Sequence, residues 1–311
     1  MKTALVTGAA GFIGSHLSEG LLDRGYRVRG VDTFETGTRQ ALEPLVDREG
    51  FSFAEVDIRD TAGVAAVVDG VDYVFHQAAV ASVPRSIEEP VKATDINCTG
   101  TATVLDAARN ADVDTVVVAS SSAVYGSSEE LPKVESMAVQ PESPYALSKH
   151  YTEQLAVQCS ELYDIDTVAL RYFNVFGPRQ DPEGEYAAVI PKFIELMVNG
   201  ERPVIYGDGE QSRDFVFVED VVRANVLAAE GDATGVAVNV AAGERITINE
   251  LVARLNDVLG TDIEPKYDDP RPGDVRHSVA DLELAQEALG YQPEVKFREG
   301  LEQTAEWFEE N

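Results

Sequence analysis

Three features of the 311-residue chain predict an α/β fold built on a doubly wound parallel sheet. Six short, β-branched apolar runs occur before residue 174, stretches with helical apolar spacing separate them, and a glycine-rich turn directly follows the first run. The runs are TALVTG, YRVRGVD, FSFAEVD, VDYVFHQAA, DTVVVASS and DTVALRYF. They are nearly continuous in apolar residues rather than alternating, as strands are when helices cover both faces of a sheet. SHLSEGLLDRG and NCTGTATVLDAARNA are examples of the intervening helical pattern. After about Gly177 the rhythm loosens into the Pro/Gly-rich stretches GPRQDPEGE and YDDPRPGD, with helices expected near 187–199, 219–230 and 247–259. We therefore expect a dinucleotide-binding domain of Rossmann type over residues 1–177. A smaller mixed α/β substrate-binding domain should follow over 178–311, with segments returning to the first, and no repeat or low-complexity linker separates the two.

Composition narrows the function. Fifty-five acidic residues stand against 25 basic ones, giving a net charge of -30 spread along the chain, and 44% of residues are hydrophobic. This describes the surface of a folded protein rather than a disordered acidic tail, and it disfavours nucleic acid and anionic lipid as partners. A salt-rich, halophilic cytoplasm would accommodate the charge, because at about 1 M salt the Debye length falls to roughly 3 Å. No run of 18 apolar residues suggests a membrane span, and the start MKTALVTGAAGFIG lacks the continuous apolar stretch of a secretory leader, so a cytoplasmic protein is expected. Cys98 and Cys159 lack metal-ligand spacing and read as buried reduced thiols; no metal site is expected.

The first run leads into Gly8-Ala9-Ala10-Gly11-Phe12-Ile13-Gly14 and then into a helical pattern. Glycines at a strand-to-helix turn permit a tight bend and close approach of a pyrophosphate to backbone amides. Asp32, ending the second run, can accept hydrogen bonds from a ribose 2′-hydroxyl and would repel a 2′-phosphate, which favours NAD over NADP. Asp57 and Ile58 at the end of the third run are candidates for the adenine end, with a helix cap as the other reading of Asp57.

Tyr145 and Lys149 stand four apart at the start of PYALSKHYTEQLAVQCSELY, hence on one helix face. A phenol with an ordinary pKa of about 10 is a poor base near neutral pH unless a cation stabilises its phenolate. Lys149 and a positive nicotinamide ring can both do this. Upstream, SSSAVYG offers Ser120, Ser121 and Ser122 beside a second tyrosine, Tyr125, which is read as packing next to the turn at Gly126.

Taken together, TGAAGFIG, VDTF, HQAA, SSSAVYG, YALSK, RYFNVFGPRQ, GDGEQSRDFVFVEDV, PGDVRHSVAD and EGLEQTAEWF resemble the extended short-chain dehydrogenase/reductases, and within them the nucleotide-sugar 4-epimerases, over nearly the whole chain. The resemblance implies Ser121, Tyr145 and Lys149 as the catalytic set, with Ala78 and Ala79 beside the cofactor. It also implies Ser122 against the sugar, Asn174, Arg213 and Arg271 at the substrate pyrophosphate, Asp274 at a ribose hydroxyl and Tyr206 beside uracil. Related sugar 4,6-dehydratases carry an Asp-Glu pair where Ser122 and Ala123 stand, and the related decarboxylases typically carry glutamate at the Ala123 position. A methyl group is neither acid nor base, so reversible hydride transfer is the simplest chemistry left.

The implied reaction oxidises a UDP-sugar at C4 to a ketone with NAD and returns hydride to the opposite face. Ser278 occupies the position of the family's sugar-pocket gate, where a small residue leaves room for a 2-N-acetyl group. The stretch SVPRS, Ser82 to Ser86, is similar to that of UDP-N-acetylglucosamine 4-epimerases, as is RQDPEGEYAAVIPKF, which implies Ser82 and Arg85 as substrate contacts. UDP-GlcNAc and UDP-GalNAc are thus the expected pair, with UDP-glucose and UDP-galactose also accommodated. A UDP-glucuronate 4-epimerase, a conventional dehydrogenase and a non-catalytic NAD-sensing protein are the competing readings. A homodimer is expected, since the family commonly pairs through helices such as those near NCTGTATVLDAARNA and SPYALSKHYTEQLAVQCSELY.

Overall fold

The computed structural model of the chain describes residues 1–182, 188–270 and 275–310. The first half alternates β1 (Thr3–Thr7), α1 (Phe12–Asp23), β2 (Arg27–Asp32), β3 (Phe51–Glu55), α2 (Thr61–Val68), β4 (Tyr73–His76), α3 (Val83–Glu88), α4 (Pro90–Thr94), α5 (Gly100–Asn110), β5 (Thr115–Ser121), α6 (Pro144–Leu162) and β6 (Asp166–Tyr172). The remainder holds β7 (Asn174–Phe176), α7 (Val189–Val198), β8 (Val204–Tyr206), β9 (Ser212–Arg213), β10 (Phe215–Phe217), α8 (Val218–Glu230) and β11 (Val236–Val240). It continues through β12 (Ile246–Thr247), α9 (Ile248–Leu259), β13 (Lys266–Asp268), α10 (Glu283–Leu289) and α11 (Phe297–Glu310).

All six apolar runs are strands of one parallel sheet, ordered β11-β6-β5-β4-β1-β2-β3, as the doubly wound class requires. Which segment of the second half would supply a seventh strand was not specified by the sequence. VAVNV lies in the second half of the chain, yet after α8 it returns to pair with β6 in the register Asn239↔Arg171. The expected helices at 219–230 and 247–259 are α8 and α9, each shifted by one residue at its start; the described part of the one at 187–199 is α7.

Local chemistry sets several boundaries. Asp60 caps α2 by accepting from Ala62 N, and Ser143 caps α6 by accepting from Ala146 N just ahead of Pro144 at the first helical position. Thr247 and Glu250 form a reciprocal capping box on α9.

Apolar layers lie on both faces of the sheet. One joins α1 and α8 through Leu17, Leu21, Val221 and Ala224; the other joins α2, α5 and α6 through Val64, Val104, Leu105 and Ala156. A third core gathers α7, α9 and α11 around Phe176, Phe215, Phe217 and Phe297. There Phe215 stacks on Phe297 with centroids 5.7 Å apart, while Phe217 meets Phe176 edge-on at 5.5 Å. Such pairs contribute about 0.5–1.5 kcal/mol each beyond their buried area. Cys159 is buried as expected, but Cys98 is only half-buried.

Strand order reverses between β1 and β4, which opens a crevice at their carboxyl ends. Two neutral histidines brace its floor and rim. His76 bonds Thr7 through Nδ1 at 2.8 Å and Thr101 through Nε2 at 3.0 Å; His16 meets Pro178 O at 2.8 Å and the Arg179 guanidinium at 2.7 Å. Burial is the main cause that pushes both down to about 3, with Lys149 adding to the effect on His76 and Arg179 to that on His16.

A histidine held below its ordinary value binds fewer protons in the native state, so stability is present above about pH 6.5 and is lost as pH falls from there towards 3. The thermal midpoint at fixed high salt should therefore drop between pH 7 and pH 5. His16→Gln, which keeps a donor and an acceptor but does not titrate, should flatten that drop in differential scanning calorimetry.

Candidate functional site

A cavity of about 930 Å³ fills the crevice. The glycine turn, Asp32, Asp57, Ile58, Ala78, Ala79, Ser82, Arg85, Ser121, Tyr145 and Lys149 all line it, so the expected cofactor set and catalytic set share one space. Gly8 sits at φ +71°, and a Cβ there would lie 2.8 Å from Ala78 N; a Cβ on Gly14 would lie 2.0 Å from Gly8 O. The turn is thus closed against itself and against the segment that follows β4, and only glycine fits at Gly8 and Gly14. Gly11 caps α1 without a side-chain bond, leaving first-turn amides for an anion.

Asp32 accepts from Ala10 N at 3.0 Å through one oxygen and from Phe34 N at 2.8 Å through the other. The carboxylate is thereby aimed along the turn, and each oxygen keeps a lone pair for a ribose hydroxyl. These residues fit NAD.

Asp57 is held instead by Arg59, whose guanidinium also reaches Asp95 at 2.7 Å. That ion pair is the first cause keeping the Asp57 carboxyl below its ordinary value. The helix cap that Asp57 was a candidate for belongs to Asp60.

The residues expected to transfer a proton come from β5 and α6. Ser121 ends β5 and accepts from Ala123 N at 3.2 Å, and its hydroxyl lies beside the Tyr145 phenol. Lys149 donates from Nζ to Ala119 O at 2.8 Å. Burial pushes the Tyr145 phenol up, with the Ser121 bond opposing, and pushes the Lys149 ammonium down to about 8. Burial therefore favours the neutral form of both groups, and an added positive charge in the cavity would reverse that for the phenol. Tyr125 lies away from this space: it is buried, donates to Asn239 Oδ1 at 2.7 Å and packs near Phe173.

Three residues that the sequence reading passed over hold this arrangement. Ser86 accepts from Tyr145 N at 3.0 Å, tying the start of α6 to α3. Asn97 lies in a π-helical turn, Asp95–Thr99, accepts from Val80 N at 2.8 Å and donates to Ser148 Oγ at 2.9 Å. A buried polar side chain within an apolar helical pattern was its sequence signal, and π-turns gather at functional sites. Tyr172 lines the cavity and bonds both Gln77 and Asn225.

The expected sugar-nucleotide residues are dispersed. Ser82 is the N-cap of α3, accepting from Arg85 N at 3.2 Å. Arg85, expected at the substrate, is engaged by Glu35 and by Glu89, with Lys92 also on Glu35 at 2.5 Å. Ser122 is half-buried in the turn after β5, and Asn174 is exposed at the start of β7; neither lines the cavity. Arg213, Tyr206 and Ser278 also lie outside its lining. Arg213 and Ser278 meet at Ser212, since Ser278 N donates to Ser212 O at 3.1 Å and Arg213 Nη1 donates to the same oxygen at 3.0 Å. Arg271 and Asp274 lie outside the described residues. Among the described residues no cluster of three or more His, Cys, Asp or Glu is arranged to hold a metal ion.

Residues 4–241 match the profile of the NAD dependent epimerase/dehydratase family. A putative UDP-glucose 4-epimerase of Methanocaldococcus jannaschii is 40% identical, covering 99% of this chain and 98% of its own. Among solved structures, a UDP-N-acetylglucosamine 4-epimerase from Methanobrevibacter ruminantium, in complex with UDP-N-acetylmuramic acid, is 44% identical with a TM-score of 0.94 over 99% of this chain and 98% of that one. A UDP-glucuronic acid 4-epimerase from Bacillus cereus, in complex with UDP-glucuronic acid and NAD, is 30% identical with a TM-score of 0.90 over 99% of both chains.

Gly8→Ala should weaken NAD retention by about tenfold or more, because positive φ and the approach to Ala78 N oppose a Cβ by at least 1–2 kcal/mol. Nucleotide released on denaturing the purified variant, compared with that from the parent protein, measures this.

Proposed function

The chain belongs to the NAD-dependent epimerase/dehydratase family, and from that premise we propose that it inverts C4 of a UDP-hexose, with UDP-GlcNAc and UDP-GalNAc as its main pair. The observation that carries this reading is that Ser121, Tyr145 and Lys149 line one cavity with the glycine turn and Asp32, Tyr145 and Lys149 standing on the same face of α6. The methyl of Ala123 stands where an eliminating or decarboxylating relative carries a carboxylate.

When bound, NAD supplies the reversible acceptor and donor of hydride for a carbinol. The chain's own part is to hold and to move a proton. Gly8, Gly11, Phe12, Ile13 and Gly14 would hold the pyrophosphate, and Asp32 the adenosine ribose. Asp57, Ile58, Ala78 and Ala79 border the rest of the dinucleotide. Tyr145 takes the proton of the C4 hydroxyl through its phenol oxygen, Ser121 orients that hydroxyl, and Lys149 together with the cofactor's positive ring stabilises the phenolate. The resulting 4-keto sugar turns over while its nucleotide stays gripped, and Tyr145 returns the proton to the opposite configuration. No second acid or base is needed.

For the substrate, Arg213, Arg271 and Asn174 bind the pyrophosphate, Asp274 a ribose hydroxyl and Tyr206 the uracil edge. The resemblance assigns Ser82, Arg85 and Ser122 to the sugar; Ser82 and Arg85 line the cavity, and Ser122 follows Ser121 just outside it. Guanidinium forks suit phosphate, and they are needed locally because a chain of net charge -30 repels a dianion at long range. Ser278 leaves the volume for the N-acetyl group. The division into a cofactor domain to residue 177 and a substrate domain beyond it follows the same assignment. Exposed Leu147, Tyr151 and Leu162 along α6, beside a groove lined by Cys98, Leu147 and Tyr151, support pairing with a second copy. No helix among the described residues is long and apolar enough to cross a membrane, which agrees with a cytoplasmic enzyme, and the acidic surface with a halophilic one.

A panel of UDP-sugars tested at low and molar salt without added NAD should give UDP-GlcNAc/UDP-GalNAc interconversion, faster in high salt. Turnover of UDP-glucuronate alone would transfer the assignment to that sugar, and release of stoichiometric NADH would make the protein a dehydrogenase. Ser278→Tyr should raise KM for the N-acetylated pair about tenfold or more while sparing UDP-glucose.

The pH profile is a second test. Lys149 stabilises a phenolate only while protonated, and its ammonium sits near 8, so kcat should decline above about pH 8. Lys149→Met should be slow and lack that limb, and Tyr145→Phe should lose about 10²–10⁴-fold in kcat with NAD retained.

A further inference from the structure

We propose that Glu153 is the positioning residue that sets the rotation of α6 on β5, so that the buried Glu153–Arg171 pair is required for turnover rather than for folding. The inference rests on the proton-transfer roles given to Tyr145 and Lys149 above.

Tyr145, Lys149 and Glu153 recur every fourth residue, forming one stripe along α6. Each meets one of the last three residues of β5: Tyr145 the Ser121 hydroxyl, Lys149 the Ala119 carbonyl at 2.8 Å, and Glu153 the Ser120 hydroxyl at 2.9 Å. The first two contacts belong to groups that must exchange protons or respond to charge during the reaction, so neither can be the fixed point. Glu153 has no solvent exposure and lies outside the cavity lining, which leaves it free to serve as one.

The strand side of this anchor is equally defined. Arg171 stands directly opposite Ser120 in the β5–β6 register and grips the Glu153 carboxylate with two parallel bonds, Nε to Oε2 at 2.8 Å and Nη2 to Oε1 at 2.6 Å. Its remaining Nη1 donates to the Tyr125 hydroxyl at 2.9 Å, which donates to Asn239 on β11, the residue facing Arg171 across that ladder. Three strands therefore hold one carboxylate of α6. Tyr125, the tyrosine that is not the base, is a link in this chain.

Stability alone is a weak reason for the pair. Two buried charges lose their hydration, and well-packed apolar side chains of similar volume commonly serve a fold as well or better. What an apolar pair lacks is direction. A bidentate fork admits one rotation of the helix, whereas apolar contacts tolerate a slip. With side chains reaching about 5–6 Å from the helix axis, a turn of about 10° moves a side-chain tip by about 1 Å, and displacement of that size costs about 10²-fold in rate.

The test is the double variant Glu153→Met/Arg171→Met, with Glu153→Gln as a milder companion. We expect the double variant to fold with its thermal midpoint near that of the parent and to retain NAD, while kcat falls about 10²-fold and KM for the UDP-sugar changes by less than about twofold. Crystal structures should find the Tyr145 hydroxyl displaced by about 1 Å from its position against Ser121. A double variant that turns over at the parental rate, or that keeps Tyr145 on Ser121, overturns the proposal, and so does one that cannot fold. The crystallographic arm reads Tyr145 whatever the substrate, so a parent protein inactive on every sugar nucleotide would count against the functional reading and leave this arm decisive.

Discussion

The structure depends on one helix being held in one rotation against the end of one strand. A phenol, an ammonium and a serine hydroxyl can act on a single carbon only if α6 presents Tyr145 and Lys149 to the same edge of β5 that carries Ser121. The parallel sheet supplies the platform, since β5 is buried along its whole length between β4 and β6. The attachments at Ser120, Ala119 and Ser121 then convert a packing contact, soft to rotation, into a defined register. Ser86 and Asn97 extend that register to the neighbouring helices, so the proton-transfer groups are braced from two sides.

Burial has opposite consequences for the two titrating groups of this site. It raises the phenol and lowers the ammonium, which stabilises the uncharged pair. A positive dinucleotide ring bound in the same cavity would shift that balance towards the phenolate. The neutral His76 below fits this economy: with its nitrogens on Thr7 and Thr101, it braces strand to helix without adding a charge that would compete. At long range the protein is strongly acidic, yet around the cavity rim carboxylates are matched by Arg59, Arg85 and Lys92. An anionic ligand thus meets paired charges near the site and net repulsion only at a distance that salt screens.

The cofactor half was legible because its signals are local. TGAAGFIG places three glycines where the backbone bends and approaches the segment after β4, and Asp32 ends its strand with its carboxylate on Ala10 N of that turn. Tyr145 and Lys149 were legible because a four-residue spacing on a capped helix puts two side chains on one face. The partners of Arg85 and Asp57 were not legible. Arg85 was read as a ligand contact and Asp57 as a ligand contact or a helix cap; Arg85 is engaged by Glu35, 50 residues away, and Asp57 by Arg59, two residues on. The first pairing depends on which loops the sheet order brings together.

By itself the sequence determined the strand set of the first half, the glycine turn, and the placing of Asp32 at a strand end and of Tyr145 and Lys149 on one helix face, because each is encoded within a few residues by periodicity or spacing. Only the tertiary structure decided that VAVNV returns to become the seventh strand, that Asn97 and Ser86 brace α6, and that Tyr125 joins Glu153 to Asn239 through Arg171. The physical reason is that these are contacts between residues up to 114 positions apart, as for Tyr125 and Asn239, and their existence follows from strand order and register, which no local pattern encodes.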